Sequence, residues 1–405
     1  MIKVAYICEP YLGGLYSFFC EMRPAFQQVG IDFRCVAPYP KDRYKLARHA
    51  GDDGVVLIAD ETRDEGAFVG TLTRHLEEEG YRGVVVVPGN SLASTLLPCV
   101  LPAGIVRIAM VPHNGRGVYL PTAKISGHLD WIVPVNKLLH DDLVGRYRLE
   151  PGQVKMVFIG IDTARFPLRT REAGPGRLTL AFTSRLEDLQ KNVFILPRIL
   201  DAALKLGGQY ELRVLCGGPD ERKLREKFRN LGLLDHVRFD SGISREAMLA
   251  ELALADVFLM TSRFEGCPHA LIEAMASGCV PVVSKLRGIF DTMVEDGREG
   301  YWCDLQAPLD FARRLHELAQ EPEKRRAMGA AARERAMRDF DVRQKAESYR
   351  DLLAAPRAGR CMTPLTLEEA FRRHGRLLGP GWRSLIPPSW KKWVRTCMAR
   401  MGKSV

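Results

Sequence analysis

The chain has 405 residues, 46% hydrophobic and 27% charged, which is enough for two ordinary cores in a soluble globular protein. Its net charge of +10 sits almost wholly at one end: residues 356–405 hold 11 Lys/Arg against two Asp/Glu, so nucleic-acid binding by the folded body is not implied. Ten cysteines without a single Cys-x-x-Cys, several of them in apolar runs, fit a reduced cytoplasmic compartment, and their spacing indicates neither a disulfide framework nor a zinc site.

The first ten residues, MIKVAYICEP, read as a strand and lack the cleavage site of a signal peptide. From there, Val/Ile-rich runs alternate with helix-length segments. Strands are expected near 2–8, 32–37, 54–59, 83–88, 105–111, 131–135 and 154–159, and again near 178–184, 210–216, 236–240, 256–261, 280–284 and 300–303. Continuous apolar strands of this kind belong to parallel sheets buried on both faces. Residues 84–112 carry one charge, Arg107, yet three prolines break the run into strand, short helix and strand rather than a membrane span. Periodicity weakens at 162–177, where a linker is expected, and helices follow near 307–319, 322–339 and 341–353. The expected class is α/β, with a Rossmann-like domain at 1–165, a second at 176–340, and a crossover helix and basic tail at 341–405. Two doubly wound halves would bring the carboxyl ends of their strands to one cleft, the usual place for a ligand.

The most informative stretch is SRFEGCPHALIEAMASGCVPVV, residues 262–283. Pro268 suits the first helical position with Cys267 as N-cap, giving a helix over about 268–277 that stops at Gly278. Glu265 then precedes the helix and Glu273 lies about one turn inside it. Free N–H groups at a helix N-terminus suit a diphosphate, and carboxylates accept hydrogen bonds from the hydroxyls of the sugars flanking it. The alternative is a loop charge at Glu265 and a capping or salt-bridging residue at Glu273.

This segment resembles the donor-binding signature of retaining glycosyltransferase family four, which has the GT-B fold: Glu-Gly, six residues, Glu-Ala-Met-Ala-x-Gly, then Pro-Val-Val. The resemblance covers residues 1 to about 353 and includes Arg185 and Lys191 in SRLEDLQKN, GGPDERKL at 217–224, GID at 160–162 and EDGREGYW at 295–302. It implies that Glu273 holds the ribose hydroxyls and Glu265 the transferred sugar. Many members have an N–H-bearing residue where this chain has Pro268, so the sugar contact falls to Cys267, His269 or Ala270. Arg185 and Lys191, at the end of the first strand of the second half, would neutralise the leaving diphosphate. Gly13 and Gly14 follow the first strand and open a helix, where a backbone can approach a phosphate. The resemblance also places His113, at a strand end, on the transferred sugar, and Arg116 near phosphate or acceptor.

The resemblance implies sugar transfer from a nucleotide diphosphate donor to a saccharide or lipid-linked acceptor with retention of configuration. No cofactor or metal is expected, since Arg185 and Lys191 can supply the charge that a divalent ion supplies elsewhere. A GT-B epimerase or phosphorylase, or a non-catalytic nucleotide-sugar-binding scaffold, are the alternatives. In the tail, Ser389 can cap a helix that places Trp390, Trp393, Val394, Cys397, Met398 and Met401 on one face and Lys391, Lys392 and Arg395 on the other. Residues 380–405 therefore read as an in-plane helix on an anionic membrane surface at the cytoplasmic face, with packing back on the first domain as the alternative.

Overall fold

The computed structural model describes residues 1–10, 14–40, 52–60, 65–113, 116–166, 174, 176–357 and 363–374. The chain divides into two compact units. Unit 1 is Met1–Gly160 together with the chain from Val342 onward, and unit 2 is Ile161–Asp341.

Unit 1 is built on β1 (Ile2–Ile7), β2 (Ile31–Pro40), β3 (Val55–Asp60), β4 (Gly83–Val86), β5 (Val106–Val111) and β6 (Trp131–Pro134), parallel throughout in the order β3-β2-β1-β4-β5-β6. Every residue of β4 and β5 is buried, as unbroken apolar strands require. Between them runs the helix Leu92–Val100, started by a reciprocal capping box between Ser91 and Ser94. The lone charge of this stretch, Arg107, is 3% exposed and donates to the carbonyls of Leu101 and Pro102, so its cation is solvated by backbone. The helix Gly14–Gln28 lays Phe18, Phe19 and Phe26 against Phe33 of β2. The helix Val342–Ala354 completes that cluster with Tyr349, 5.5 Å from the Phe26 ring.

The strand expected at 154–159 is reduced to an isolated parallel bridge between Val154 and Ile132. Residues 153–157 do bond to β6, through Ile132 N to Gln153 O at 3.0 Å and Val157 N to Pro134 O at 3.1 Å, but this edge has one neighbour only and the chain leaves unit 1 at Gly160.

Unit 2 repeats the plan with β7 (Arg177–Phe182), β8 (Gln209–Val214), β9 (Val237–Phe239), β10 (Val257–Met260), β11 (Val280–Ser284) and β12 (Tyr301–Cys303), parallel in the order β12-β11-β10-β7-β8-β9. In both units the first strand lies beside the fourth, the topological switch point of a doubly wound sheet. Both also use an acid just before a strand as a stitch to its neighbour. Asp130 accepts from Arg107 N at 2.8 Å, and Asp256, 1% exposed, accepts from Thr179 N at 2.8 Å. Asp256 further faces Arg325 Nε at 3.4 Å, from the helix Pro322–Asp339.

Beyond the helix Val342–Ala354 the reading of a basic tail missed a helix, Leu367–His374, which packs on the helices Leu92–Val100 and Glu65–Glu78. A second capping box starts it: Thr366 N donates to Glu369 Oε2 at 2.9 Å and Glu369 N to Thr366 Oγ1 at 3.2 Å. The amphipathic segment expected at 380–405 lies outside the described residues.

Two glycines within helices separate propensity from packing. A Cβ on Gly70 would meet only Leu367 Cδ2 at 4.0 Å, whereas on Gly329 it would drive into the Gly278 carbonyl oxygen. Gly70→Ala is expected to stabilise unit 1 by about 0.5–1 kcal/mol and Gly329→Ala to destabilise unit 2 by about 1–3 kcal/mol. Urea denaturation of the two variants checks this, and a shift of the same sign in both would refute the assigned packing.

Candidate active site

The loop that leaves β7 passes through buried Thr183 and Ser184 and exposed Arg185 to Leu186, which is fully buried. Leu186 donates to Gly217 O at 3.1 Å and accepts from Asp220 N at 3.0 Å. The GGPD turn after β8 therefore serves as the mould for this loop. Gly218 has to be glycine, because a Cβ would overlap the Leu186 backbone. Asp220 Oδ2 then accepts from Asp188 N at 2.8 Å, which starts the short helix Asp188–Lys191, and Asn192 ends it in the left-handed region at φ 51°.

The loop that leaves β10 is tied to the same turn. Thr261 Oγ1 donates to Lys191 O at 2.8 Å, Arg263 N donates to Gln190 O at 2.8 Å, and the Arg263 guanidinium bonds Asp188 O and Asn192 Oδ1. These ties bring Lys191 Nζ to 2.6 Å from Glu265 Oε1, with side chains 15% and 6% exposed. Ser262 Oγ donates to the same oxygen at 2.6 Å, and Gln190 Nε2 lies 3.4 Å from Glu265 Oε2. A part-buried ammonium and a buried carboxylate thus compensate each other where β7 and β10 lie side by side, at the carboxyl ends of their strands.

The helix after this loop is His269–Ala276, and Pro268 is its N-cap instead of its first helical residue. Cys267 is accordingly not the cap. With φ −77° and ψ 92° Pro268 is extended and has no side-chain donor or acceptor, so no side chain caps the helix. Its carbonyl accepts from Leu271 N at 3.0 Å. The helix stops as the sequence implies, at Gly278 with φ +81°. Cys267, His269 and Ala270 line the entry, each partly exposed. Burial, with Arg245 adding, pulls the His269 imidazole down to about 4, so it is neutral near pH 7 and acts as a donor or acceptor without charge.

Glu273, buried, holds a partner that sequence reasoning missed. Arg245 Nη2 donates to its Oε1 at 3.0 Å. Arg245 opens the helix Arg245–Leu254, whose N-cap Ser244 accepts from Ala247 N at 3.2 Å. The Ser-x-x-Ala start signals the helix, but nothing local points Arg245 at an acid 28 positions on. Arg185 stands apart from Glu265 as an exposed guanidinium, 3.9 Å from Glu187. Burial raises the thiol of Cys216, just after β8, against a backbone hydrogen bond from Gly217 and the opposing fields of Lys191 and Arg185.

In unit 1, Gly14 opens the helix after β1, and a Cβ there would meet nothing within 4 Å, so packing inside the unit does not demand glycine. His113 is exposed, two residues past β5. Gly13 and the side chain of Arg116 lie outside the described residues. The chain's single Asp-x-Asp, Asp339-Phe340-Asp341, is committed to structure: Asp339 pairs with Arg335 at 2.5 Å and Asp341 accepts from Thr163 Oγ1 at 2.6 Å.

Residues 164–335 match the family described as Glycosyl transferases group 1. The chain is 30% identical over 258 residues to a D-inositol 3-phosphate glycosyltransferase of Corynebacterium kroppenstedtii, covering 59% of this chain and 57% of that protein. It is 30% identical over 216 residues to a GDP-mannose-dependent alpha-(1-6)-phosphatidylinositol monomannoside mannosyltransferase of Mycolicibacterium smegmatis, covering 50% of this chain and 56% of that one. The chain therefore spans little more than half the length of these curated relatives. In three dimensions it resembles Anabaena HepE, solved in complex with UDP, with a TM-score of 0.71 at 13% identity over 88% of this chain and 100% of that one, a likeness of fold alone. The match to the glycosyl transferases group 1 family thus lies within unit 2, and the two parallel six-stranded sheets have the GT-B fold.

Proposed function

We propose that the chain is a retaining glycosyltransferase that moves a sugar from a nucleoside diphosphate donor to a hydroxyl of a saccharide or lipid-linked acceptor, without a metal ion. The observation that carries this reading is the Lys191–Glu265 pair at the switch point of unit 2, beside a helix N-terminus with no side-chain cap. An incoming diphosphate draws on the Lys191 ammonium, on Arg185 and on the N–H groups at that helix start. Glu265 then has lone pairs for the hydroxyls of the transferred sugar, with Cys267, His269 and Ala270 as further donor contacts. Glu273, oriented by Arg245, takes the ribose hydroxyls. In the reaction the bond from the anomeric carbon to the phosphate oxygen breaks, the acceptor oxygen bonds that carbon on the same face, and its proton passes to a phosphate oxygen. Negative charge grows on the diphosphate as this happens, so Arg185 and Lys191 act mainly in the transition state.

The relatives' names, D-inositol 3-phosphate and a phosphatidylinositol mannoside, favour a polar polyol or glycolipid acceptor. Among the described residues no helix is long and apolar enough to cross a membrane. Residues 380–405, with Trp382, Trp390 and Trp393 beside five Lys/Arg between 391 and 403, supply an anionic-surface anchor that would bring the active site to a lipid-linked acceptor at the cytoplasmic face.

Lys191→Ala leaves a buried carboxylate uncompensated and is expected to cost about 3–5 kcal/mol, while the Lys191→Met, Glu265→Gln double variant regains most of that stability. Turnover stays down by about 100-fold or more in both. Full transfer activity in a folded double variant would remove the pair from the mechanism.

Calorimetry with a panel of UDP-, GDP- and ADP-sugars, followed by product analysis, tests the function itself. Glu273→Ala is expected to weaken binding of the accepted donor by about 1–3 kcal/mol. Arg185→Ala, at an exposed position, should lower kcat more than it weakens donor binding, and added magnesium should not raise turnover. Unchanged donor affinity in Glu273→Ala would overturn the ribose assignment, and an inverted product the retaining one.

The tail makes a separate expectation. Full-length protein should sediment with phosphatidylglycerol vesicles in a salt-sensitive way, and removal of residues 380–405 should abolish this while donor binding persists. A full-length protein that ignores vesicles would return the tail to the packing alternative.

A further inference from the structure

At the opposite edge of unit 1's sheet, three residues far apart in sequence converge. Cys99 lies near the end of the helix Leu92–Val100, His128 closes the turn Ser126–His128, and His374 ends the helix Leu367–His374. One ligand atom from each lies within 4.8 Å of the other two. The two imidazoles meet edge to face, with centroids 5.9 Å apart and planes at 80°.

A second observation concerns His374 alone. The residue is 9% exposed, and both its ring nitrogens are buried without a hydrogen-bond partner. An imidazole carries one donor and one acceptor when neutral, and leaving either unmade inside a protein is costly. A neutral imidazole presents one nitrogen lone pair to a cation. What the surroundings withhold from that lone pair, a cation between it, His128 and Cys99 would supply.

We infer that Cys99, His128 and His374 form a structural zinc site. A thiolate and two imidazoles are the ligand types that suit zinc, and in a tetrahedral site their atoms stand about 3.3–3.6 Å apart. Their present spacing, within 4.8 Å, is wider than that, so ligation draws the three atoms together. A water molecule completes four-coordination. Zinc binds the thiolate, so on binding the Cys99 thiol gives up its proton to solvent.

Topology assigns the role. Cys99 precedes the start of β5 and His128 the start of β6, so the cluster lies at the amino-terminal edge of the sheet, away from the edge that carries Gly14 and His113. The metal would act on the fold, fastening the helix Leu367–His374. That helix is already tethered to the same place by the bond from Leu365 N to Cys99 O at 2.9 Å. It leads directly into the basic residues 375–405, so the zinc fixes the point from which the tail departs.

The test uses untagged full-length protein dialysed against metal-free buffer. One equivalent of zinc per chain is expected by mass spectrometry, and cobalt(II) in its place should give thiolate charge-transfer absorption together with the strong visible bands of a tetrahedral ion. Cys99→Ser and His374→Gln should each weaken zinc affinity on the order of 100-fold in competition with a chelating dye, with Cys20→Ser as an unaffected control. The cobalt spectrum is read on the unmutated chain and does not depend on any variant folding. Protein that retains no zinc and gives no thiolate charge-transfer band, or a Cys99→Ser variant that keeps both, would overturn it.

Discussion

Every strand pairing in the two sheets is parallel, and parallel pairing obliges the chain to leave each strand at its carboxyl end, cross a face and re-enter at the starting edge. The segments that leave strands collect at one edge, and the returning ones at the other. Where strand order reverses, between β7 and β10, two departing loops run in opposite directions and open a gap. Lys191 and Glu265 come from those two loops. Their contact is thus a product of topology first and charge second, and the GGPD turn, through Gly218 and Asp220, sets it by dictating where the Leu186 backbone runs.

The same arrangement explains why opposite edges carry different chemistry. At the carboxyl edge lie glycine turns, an uncapped helix start and charges that partly face solvent. At the amino edge the groups are consumed by structure: Asp130 and Asp256 stitch neighbouring strands, and Arg107 solvates itself on backbone carbonyls. A histidine with both ring nitrogens unpartnered at such an edge is out of keeping with its surroundings, which is why His374 calls for a ligand.

Much of this was legible in the amino-acid order, because buried parallel strands must be continuously apolar and Gly278, at φ +81°, must follow the helix it ends. The Glu265 and Glu273 spacing was legible for the same local reason: a loop, a turn of helix and a glycine stop lie within 14 residues of one another. Contacts that depend on where distant elements pack were not. Arg245 reaches Glu273 only because its helix is laid across the sheet, and Cys99, His128 and His374 converge from three elements with no spacing signature. Two failures were avoidable. The Thr366-x-x-Glu369 box that starts the helix Leu367–His374 is visible in sequence, and a proline can serve as the N-cap as well as the first helical residue, the place Pro268 takes.

Unit 2 is an insertion within unit 1, which leaves the chain at Gly160 and regains it at Val342. The returning helix is no ornament to unit 1: Tyr349 closes the ring cluster of Phe18 and Phe26, Leu352 O accepts from Trp131 Nε1 at 2.9 Å, and Leu353 fills the space left by Gly83. On the ribosome these residues emerge only after all of unit 2, a delay on the order of 10–40 s at usual elongation rates. Through that interval the amino-terminal sheet waits with an aromatic face uncovered, while unit 2, continuous in the chain, has everything it needs to fold. The half of the protein that is made first is therefore the half that is finished last, and its exposed phenylalanines are where a nascent-chain chaperone would find its hold.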